Sequence, residues 1–388
     1  MKKIKIIAVA LLCALSVSLC TACTSGTSYI ISANGEKQKI GPYLFYIQWL
    51  RDYHEDIITS SGYTWTTALD GYYTEKQTLR DYLISNAKSQ YLSYFVVTQK
   101  FEELGLTLSE KDQETIRSTY EDQWIKEYGK DGMKRILKTL KLTEEEFKQI
   151  LSVQSKSIAI IEHYYGAGGE LEITEKDKED YFNESYLRFK YILLSKTDDD
   201  NQNLPEEEIA HKKELAAEIL QKLENGESIE TLIPEYSEDY AEINDDMSES
   251  EKESAEKQNK QAIEDGLIID KDGIFNQTLY TYYDIAVNNT IVSKLFDMQN
   301  GENALIEIDN SLWIVQKCDI HEKEEYYTNK AEEVYQELYG DDFSKKYTSW
   351  LANLNYTFNE KAVEAYKPDN LTPLFSTATS EDPDDINS

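Results

Sequence analysis

Two short apolar runs, at residues 188–194 and 312–317, limit what this chain can fold into. Both are rich in aromatic and aliphatic residues, which is typical of strands, and they lie far apart in the sequence. Between them, residues 206–225 carry an amphipathic helical pattern that ends at a glycine. Two further segments follow, at 235–239 and 295–302. The segments therefore alternate between strand and helix signals.

The order of these segments resembles the parvulin family of peptidyl-prolyl isomerases. The resemblance implies an α+β fold, which we therefore predict. The resemblance consists of a strand, a helix, a Tyr-Ser-Glu-Asp loop, a Leu-Phe-x-Met-x-x-Gly-Glu helix end and a closing strand. Parvulins usually carry one histidine in the first strand and another in the last. Here Tyr191 and Trp313 stand at those places. With Ser237 and Asp239 in the loop, they are the positional equivalents of the family's catalytic residues.

Prolyl isomerisation forms no covalent intermediate. It needs an apolar wall for the proline ring and a polar group that eases rotation about a bond with a barrier of about 20 kcal/mol. The resemblance places the wall at Val287, Ile291, Phe296 and Met298. Two interpretations of the polar centre stay open. Tyr191 donates a hydrogen bond in place of an imidazole, or the aromatic rings simply fill the vacated space, which we favour.

The N-terminus has the pattern of an exported lipoprotein. Lysines precede an apolar run at 6–19, which is too short for a comfortable membrane span. The run leads to Thr-Ala-Cys23, which resembles the bacterial lipobox, where the cysteine is diacylated. We predict Cys23 as the lipidation site and the extracytoplasmic face of a Gram-positive-like cell membrane as the location. An ordinary cleaved signal peptide is the alternative.

Helical patterns dominate the region before residue 183. Helix starts at Ser109, Thr143 and Thr174 each place a hydroxyl three residues before a carboxylate. Their succession resembles the N-terminal domain of SurA- and PrsA-type foldases, where a helical chaperone domain leads into the parvulin domain. The predicted organisation is a signal peptide, 1–22; a tether, 23–28; a helical chaperone domain, 29–182; a parvulin-like domain, 183–321, with an acidic insertion, 238–272; a C-terminal helix that completes the chaperone domain, 322–366; and a disordered tail, 367–388.

Charge and composition narrow the classes of partner. A formal net charge of −33 repels nucleic acid and anionic membrane surfaces. The acidic insertion has few large apolar residues, so we predict a mobile segment or a loose helix there. The histidines are scattered without a second ligand at metal-binding spacing, and no nucleotide-binding fingerprint occurs. We therefore predict no metal site and no cofactor.

These observations together predict a membrane-anchored extracytoplasmic foldase or chaperone. Its partners are unfolded or partly folded exported polypeptides and, by resemblance, a second copy in a homodimer. The family implies prolyl isomerase activity, which the replaced histidines predict to be weak or lost. Two alternatives remain: an active isomerase with a rearranged site, and a non-enzymatic envelope scaffold or ligand-recognition lipoprotein. An aromatic-rich segment at 43–53 is explained by core packing or by client binding.

Overall fold

The computed structural model describes residues 26–74, 76–198, 200–271, 274–275, 285–286 and 289–375. Helices and small antiparallel sheets make up this part of the chain, which confirms the predicted α+β class. The predicted signal peptide, the lipidation site Cys23 and the wall residue Val287 lie outside the described residues. Within the described ranges, the helices lack the combined length and apolar character that a bilayer-spanning helix needs.

The chain forms two compact units. Of the described residues, those within 26–172 and 342–375 form the helical unit, and those within 173–341 form the sheet unit. The first elements are β1 Tyr29–Ala33, β2 Glu36–Lys39, α1 Gly41–Ser60, α2 Trp65–Leu69, β3 Tyr72–Thr74, β4 Gln77–Thr78, α3 Leu79–Glu103, α4 Glu110–Ser118, a π-helical turn Thr119–Ile125, α5 Lys126–Leu140, α6 Glu144–Leu151 and α7 Val153–Tyr165. The next are α8 Glu175–Ser185, β5 Tyr186–Ser195, α9 Glu206–Glu224, α10 Ile229–Tyr236, α11 Glu249–Glu264, β6 Leu267–Asp270, β7 Ile274–Phe275, β8 Ile285–Ala286, α12 Asn289–Asp297, β9 Asn303–Glu307, β10 Ser311–Cys318 and α13 Glu324–Thr328. The last are α14 Ala331–Asn353, β11 Tyr356–Phe358, α15 Glu360–Ala365 and a 3₁₀ turn Pro368–Asn370.

The helical unit is built from both ends of the chain. Strand β1 pairs antiparallel with β2 on one side and with β11 on the other, with Ile31 opposite Phe358. Directly after β11, the Asn359 side chain donates a hydrogen bond to the carbonyl of Tyr29 at 2.9 Å. The helices pack around a core of fully buried apolar side chains such as Ile47, Leu83 and Phe147.

The three helix starts expected from the sequence are confirmed. The hydroxyl of Ser109 accepts a hydrogen bond from the backbone N–H three residues later. Thr143 and Thr174 form complete capping boxes, in which the carboxylate three residues on binds back to the N-cap backbone. Each cap satisfies backbone donors that a helix start would otherwise leave unpaired.

Residues 367–375 correct the prediction of a disordered tail. They form the 3₁₀ turn and then a segment whose Leu371, Leu374 and Phe375 pack against the core of the helical unit. The prediction rested on the polar composition of the whole tail, which hid this local apolar group. Burial of three such side chains offsets the entropy of ordering a short segment. Residues 376–388 lie outside the described part.

The sheet unit is organised around a four-stranded antiparallel sheet with the order β6-β5-β10-β9. Successive residues of a strand point to opposite faces. On one face, Ile192 and Leu194 of β5 pack in an apolar cluster with side chains of α9 and α10. On the other face, Leu187 and Phe189 share a cluster with side chains of α12. Both faces of the sheet are therefore covered by helices.

The acidic insertion at 238–272 contains a helix and a strand. Helix α11 begins with a complete capping box at Ser248. Strand β6 pairs with β5, and Leu267 lies opposite Phe189. At Gly266, φ is +70° and a Cβ would lie 2.4 Å from the Phe189 carbonyl oxygen, so only glycine fits there. The sequence left a mobile segment or a loose helix open for residues 238–264, and α11 is a helix in that range.

Arg188 joins three segments of the sheet unit and is only 1% exposed. Its Nε donates to the carbonyl of Asp265 at 2.6 Å, and its Nη1 donates to the carbonyl of Asp319 at 2.8 Å. The guanidinium also pairs with Glu322 and lies 4.8 Å from the ring centre of Tyr326. One buried cation thus supplies hydrogen bonds to two carbonyls that lie just outside the regular helix and strand.

Arg188→Ala is expected to lower the free energy of unfolding by about 3 kcal/mol or more. Each buried acceptor that loses its donor costs about 1–3 kcal/mol. Urea unfolding followed by circular dichroism measures the change. Lys176→Ala is the control, because Lys176 forms an exposed ion pair with Asp180 whose loss is expected to leave the urea midpoint nearly unchanged. Equal losses in the two variants would contradict the role given to Arg188.

Candidate functional site

The two positions that replace the parvulin histidines lie on neighbouring strands. In the β5–β10 pair, Tyr191 is opposite Val315 and Trp313 is opposite Leu193. Tyr191 and Trp313 are therefore diagonal neighbours on one face of the sheet. Their ring centres are 4.7 Å apart and the ring planes are inclined by 32°. The sheet register brings together the two residues that the sequence singled out.

The loop after α10 lies along the edge of β5. The backbone N–H of Leu193 donates to Ser237 Oγ at 2.9 Å, and the N–H of Glu238 donates to the Leu193 carbonyl at 2.9 Å. Strand β6 pairs with the other half of the same edge. The loop thereby satisfies backbone groups that an open edge would expose. It also fixes the position of Asp239 beside the sheet.

Asp239 connects the polar side chains of the site. Its Oδ2 accepts a hydrogen bond from Tyr191 Oη at 2.6 Å, and its Oδ1 accepts one from Ser237 Oγ at 2.6 Å. Ser237 is buried, while Tyr191 and Asp239 are half-buried. The loop residues that the resemblance indicated are thus within hydrogen-bond distance of the first-strand position.

Tyr191 is a proton donor in this arrangement. Burial, with the negative charge of Asp239 and its hydrogen bond, raises the pKa of the Tyr191 phenol well above its ordinary value. The phenol therefore keeps its proton at neutral pH and cannot act as a base there. The phenol donates this proton in a hydrogen bond to the Asp239 carboxylate. That hydrogen bond must break before the phenol can donate to a substrate amide.

Trp313 also uses its polar group within the protein. Its Nε1 donates to Ser311 Oγ at 2.9 Å, two residues back on the same strand. Indole has one donor and no acceptor. Trp313 therefore contributes an aromatic face to the site, and its ring occupies space where an imidazole would have carried two nitrogens.

The apolar residues of the site come from α12 and the turn that follows it. Ile291 and Met298 are buried and Phe296 is half-buried, and all three share one apolar cluster with Tyr191 and Trp313. Helix α12 is amphipathic, which turns Ile291 toward the sheet. The described part of the predicted wall therefore lies in the same cluster as the two aromatic rings.

Sequence reasoning missed Lys317. Its Nζ donates to the carbonyls of Phe296 at 3.3 Å and Met298 at 2.8 Å, at the C-terminal end of α12. Burial lowers the pKa of this ammonium group. A cation favours the carbonyl end of a helix, so Lys317 holds α12 against the closing strand. A polar residue in an otherwise apolar strand pattern was the available signal.

The chemistry open to this site is limited. It offers a protonated phenol, a carboxylate and an apolar surface, without an imidazole. Burial raises the pKa of the Cys318 thiol, which disfavours the thiolate at neutral pH. Among the residues that the structure describes, no group of three His, Cys, Asp or Glu side chains is arranged to hold a metal ion. The half-buried rings of Tyr191, Phe296 and Trp313 are the apolar groups of the site that stay partly accessible.

Comparison with protein-family models and with curated proteins finds no match. Crystal structures of the foldase PrsA are among the solved structures that do match. The one from Streptococcus pneumoniae strain Canada MDR_19A is 17% identical, with coverage of 78% of this chain and 94% of that chain and a TM-score of 0.26. The Bacillus subtilis structure is 14% identical, with coverage of 91% and 96% and a TM-score of 0.24. The Lactococcus lactis structure is 16% identical, with coverage of 89% and 99% and a TM-score of 0.30. At TM-scores this low, no residue role passes from those structures to this chain.

Tyr191→Phe is expected to lower the free energy of unfolding by about 2 kcal/mol, because it removes a hydrogen bond to a carboxylate. In an Asp239→Ala background the same change is expected to cost less than about 1 kcal/mol, since the acceptor is already absent. Urea unfolding of the four proteins in this double-mutant cycle measures the coupling.

Tyr240→Phe is the matched control. Tyr240 lies in the same loop, and its hydroxyl has no hydrogen-bond partner among the described residues. We expect this variant to unfold like the unmodified chain. An equal effect of Tyr191→Phe in both backgrounds would show that the hydroxyl does not act through Asp239.

Proposed function

We propose that this chain is an extracytoplasmic chaperone of exported polypeptides, whose sheet unit binds clients and catalyses prolyl isomerisation weakly or not at all. The observation that carries the proposal is the hydrogen bond from Tyr191 Oη to Asp239 at 2.6 Å. Because of this bond, the hydroxyl at the position of the family's first histidine already has a partner within the protein. The site that remains is chiefly aromatic and aliphatic.

The order of elements around the site supports the isomerase-like part of this proposal. Strand β5, helix α9, the Tyr-Ser-Glu-Asp loop, the Leu-Phe-x-Met helix end and strand β10 follow one another as the parvulin resemblance requires. Aromatic and aliphatic side chains offer a large contact area with few rotatable bonds, which suits apolar segments of varied sequence. A scaffold that once positioned a proline would therefore still bind unfolded chains.

A lipid anchor at Cys23 would hold the protein where exported chains emerge. Buried lipid contributes about 0.8 kcal/mol per CH₂, so a diacylated cysteine anchors stably. The net charge of −33 keeps the rest of the chain away from an anionic bilayer surface. The same charge attracts basic unfolded segments. Anchoring and charge together favour transient capture of clients beside the membrane.

An active isomerase with a rearranged site is the second candidate. The place of the Tyr191 hydroxyl favours it, because a protonated phenol at the first histidine position can donate a hydrogen bond. In that case the hydroxyl leaves Asp239 and donates to the substrate when a proline-containing segment binds. Catalysis would then depend on Tyr191, whereas client capture would depend on the apolar cluster. This difference separates the two functions.

Aggregation of a chemically denatured client, followed by light scattering, tests the chaperone function. The chain from Thr24 onward, in molar excess, is expected to suppress aggregation. Tyr191→Phe is expected to suppress it equally, because this variant keeps the aromatic ring. Failure of the unmodified chain to suppress aggregation of any client would contradict the proposal and favour a non-enzymatic envelope scaffold.

Charge alone is a competing cause of suppression, so the assay is run at low and high salt with an acidic, folded protein as the control. Screening shortens the Debye length from about 10 Å at 0.1 M to about 3 Å at 1 M. Suppression by apolar contact is expected to persist at high salt. Loss of suppression at high salt, or equal suppression by the acidic control, would contradict binding through the apolar cluster.

A further inference from the structure

A C-terminal segment of the chain, residues 371–375, lies across helix α1 and is held by its main chain. Gln48 Nε2 donates to the Thr372 carbonyl at 2.8 Å, and Arg51 Nε donates to the Leu371 carbonyl at 3.1 Å. Asp52 Oδ2 accepts from the backbone N–H groups of residues 374 and 375, both at 2.7 Å. We call residues 371–375 the docked segment. These four hydrogen bonds go to its backbone, so they do not depend on the identity of its side chains.

The three α1 side chains that make these contacts form a buried polar triad. Gln48, Arg51 and Asp52 are 3%, 2% and 3% exposed. Asp52 Oδ1 accepts from Gln48 at 2.8 Å and from Arg51 at 2.7 Å, which leaves Oδ2 for the docked segment. Buried polar atoms are rarely left without partners. The triad is therefore a built site whose remaining bonding capacity is filled by a peptide backbone.

An aromatic pocket completes the site. The ring of Phe375 lies 6.0 Å from Phe45, 5.5 Å from Trp124 and 6.4 Å from Tyr128 between ring centres. The Tyr128 hydroxyl donates to the Phe375 carbonyl at 3.0 Å. Trp124 stands on the π-helical turn, a distortion that is frequent at functional sites. The pocket thus holds one aromatic side chain and its own backbone carbonyl.

The exposure of each side chain in the docked segment indicates at which positions the site selects the type of residue. Leu371, Leu374 and Phe375 are half-buried, whereas Thr372 and Pro373 are exposed. Positions two and three therefore tolerate any side chain, including proline. Positions one and four need an apolar residue and position five an aromatic one. Such a pattern, read through the main chain, recurs in extended segments of many unfolded proteins.

We propose that the triad and the aromatic pocket form a peptide-binding site, which the chain's own docked segment occupies until an extended client segment of the same pattern displaces it. The identity of the client as an exported polypeptide rests on the proposed function, whereas the site itself does not. The Arg80–Asp369 pair, with contacts of 2.7 and 2.8 Å, tethers the docked segment beside the site. A tethered occupant has an effective concentration near the millimolar range, so it weakens the apparent affinity for any client.

Fluorescence anisotropy of a fluorescein-labelled peptide with the sequence of residues 369–377 tests this site. The purified protein carrying Phe375→Ala is expected to bind the peptide about tenfold or more tightly than the unmodified protein, because the internal competitor has lost its anchor. Tyr72→Ala, at a tyrosine that is 83% exposed in the same unit, is the control and is expected to bind like the unmodified protein. A peptide whose phenylalanine is replaced by alanine is expected not to compete.

Equal binding by Phe375→Ala and the unmodified protein, with native circular dichroism in both, would overturn the proposal. A measurement on the unmodified protein covers the case in which the variant does not fold. Excess unlabelled peptide is expected to speed chymotryptic cleavage after Phe375, because the displaced segment becomes accessible. An unchanged cleavage rate at saturating peptide would also overturn it. Peptide binding without suppression of client aggregation would retain the site and remove the proposed chaperone function.

Discussion

The antiparallel pairing of β5 with β10 is the contact on which the sheet unit depends. These strands are distant in the sequence, and their register sets which side chains of each become neighbours. One face receives α9 and α10, and the other receives α12 with the site residues. A shift of one residue would move every side chain to the wrong face. The position of Tyr191 beside Trp313 is thus a consequence of the register that buries both apolar clusters.

The site illustrates a conflict between satisfied hydrogen bonds and catalysis. Tyr191, Asp239 and Ser237 satisfy one another and also close the edge of β5. A polar network of this kind stabilises the fold and makes each member less available to a substrate. An enzyme needs a polar group whose best partner is the transition state. Here the best partner of the phenol is a carboxylate within the protein.

Local patterns in the sequence predicted the helix caps, because a cap involves neighbouring residues. The α+β class was predicted from the family resemblance, and the site residues that the same resemblance indicated stay a prediction. The contact between Ser237 and the edge of β5 was not predictable, because it depends on how a loop returns to the sheet. The order of the docked segment was missed for a similar reason. Asp52, which accepts two of its hydrogen bonds, lies 322 and 323 positions away in the sequence.

The catalytic rate on a proline-containing peptide tests the central claim most directly, namely that the isomerase-like site binds without effective catalysis. Cis-to-trans conversion is followed with the chain from Thr24 onward and with Tyr191→Phe. Both proteins are expected to leave the rate close to the uncatalysed value, which corresponds to tens to hundreds of seconds at 25 °C. A clear acceleration by the unmodified chain that Tyr191→Phe abolishes would contradict it and would establish Tyr191 as a catalytic donor.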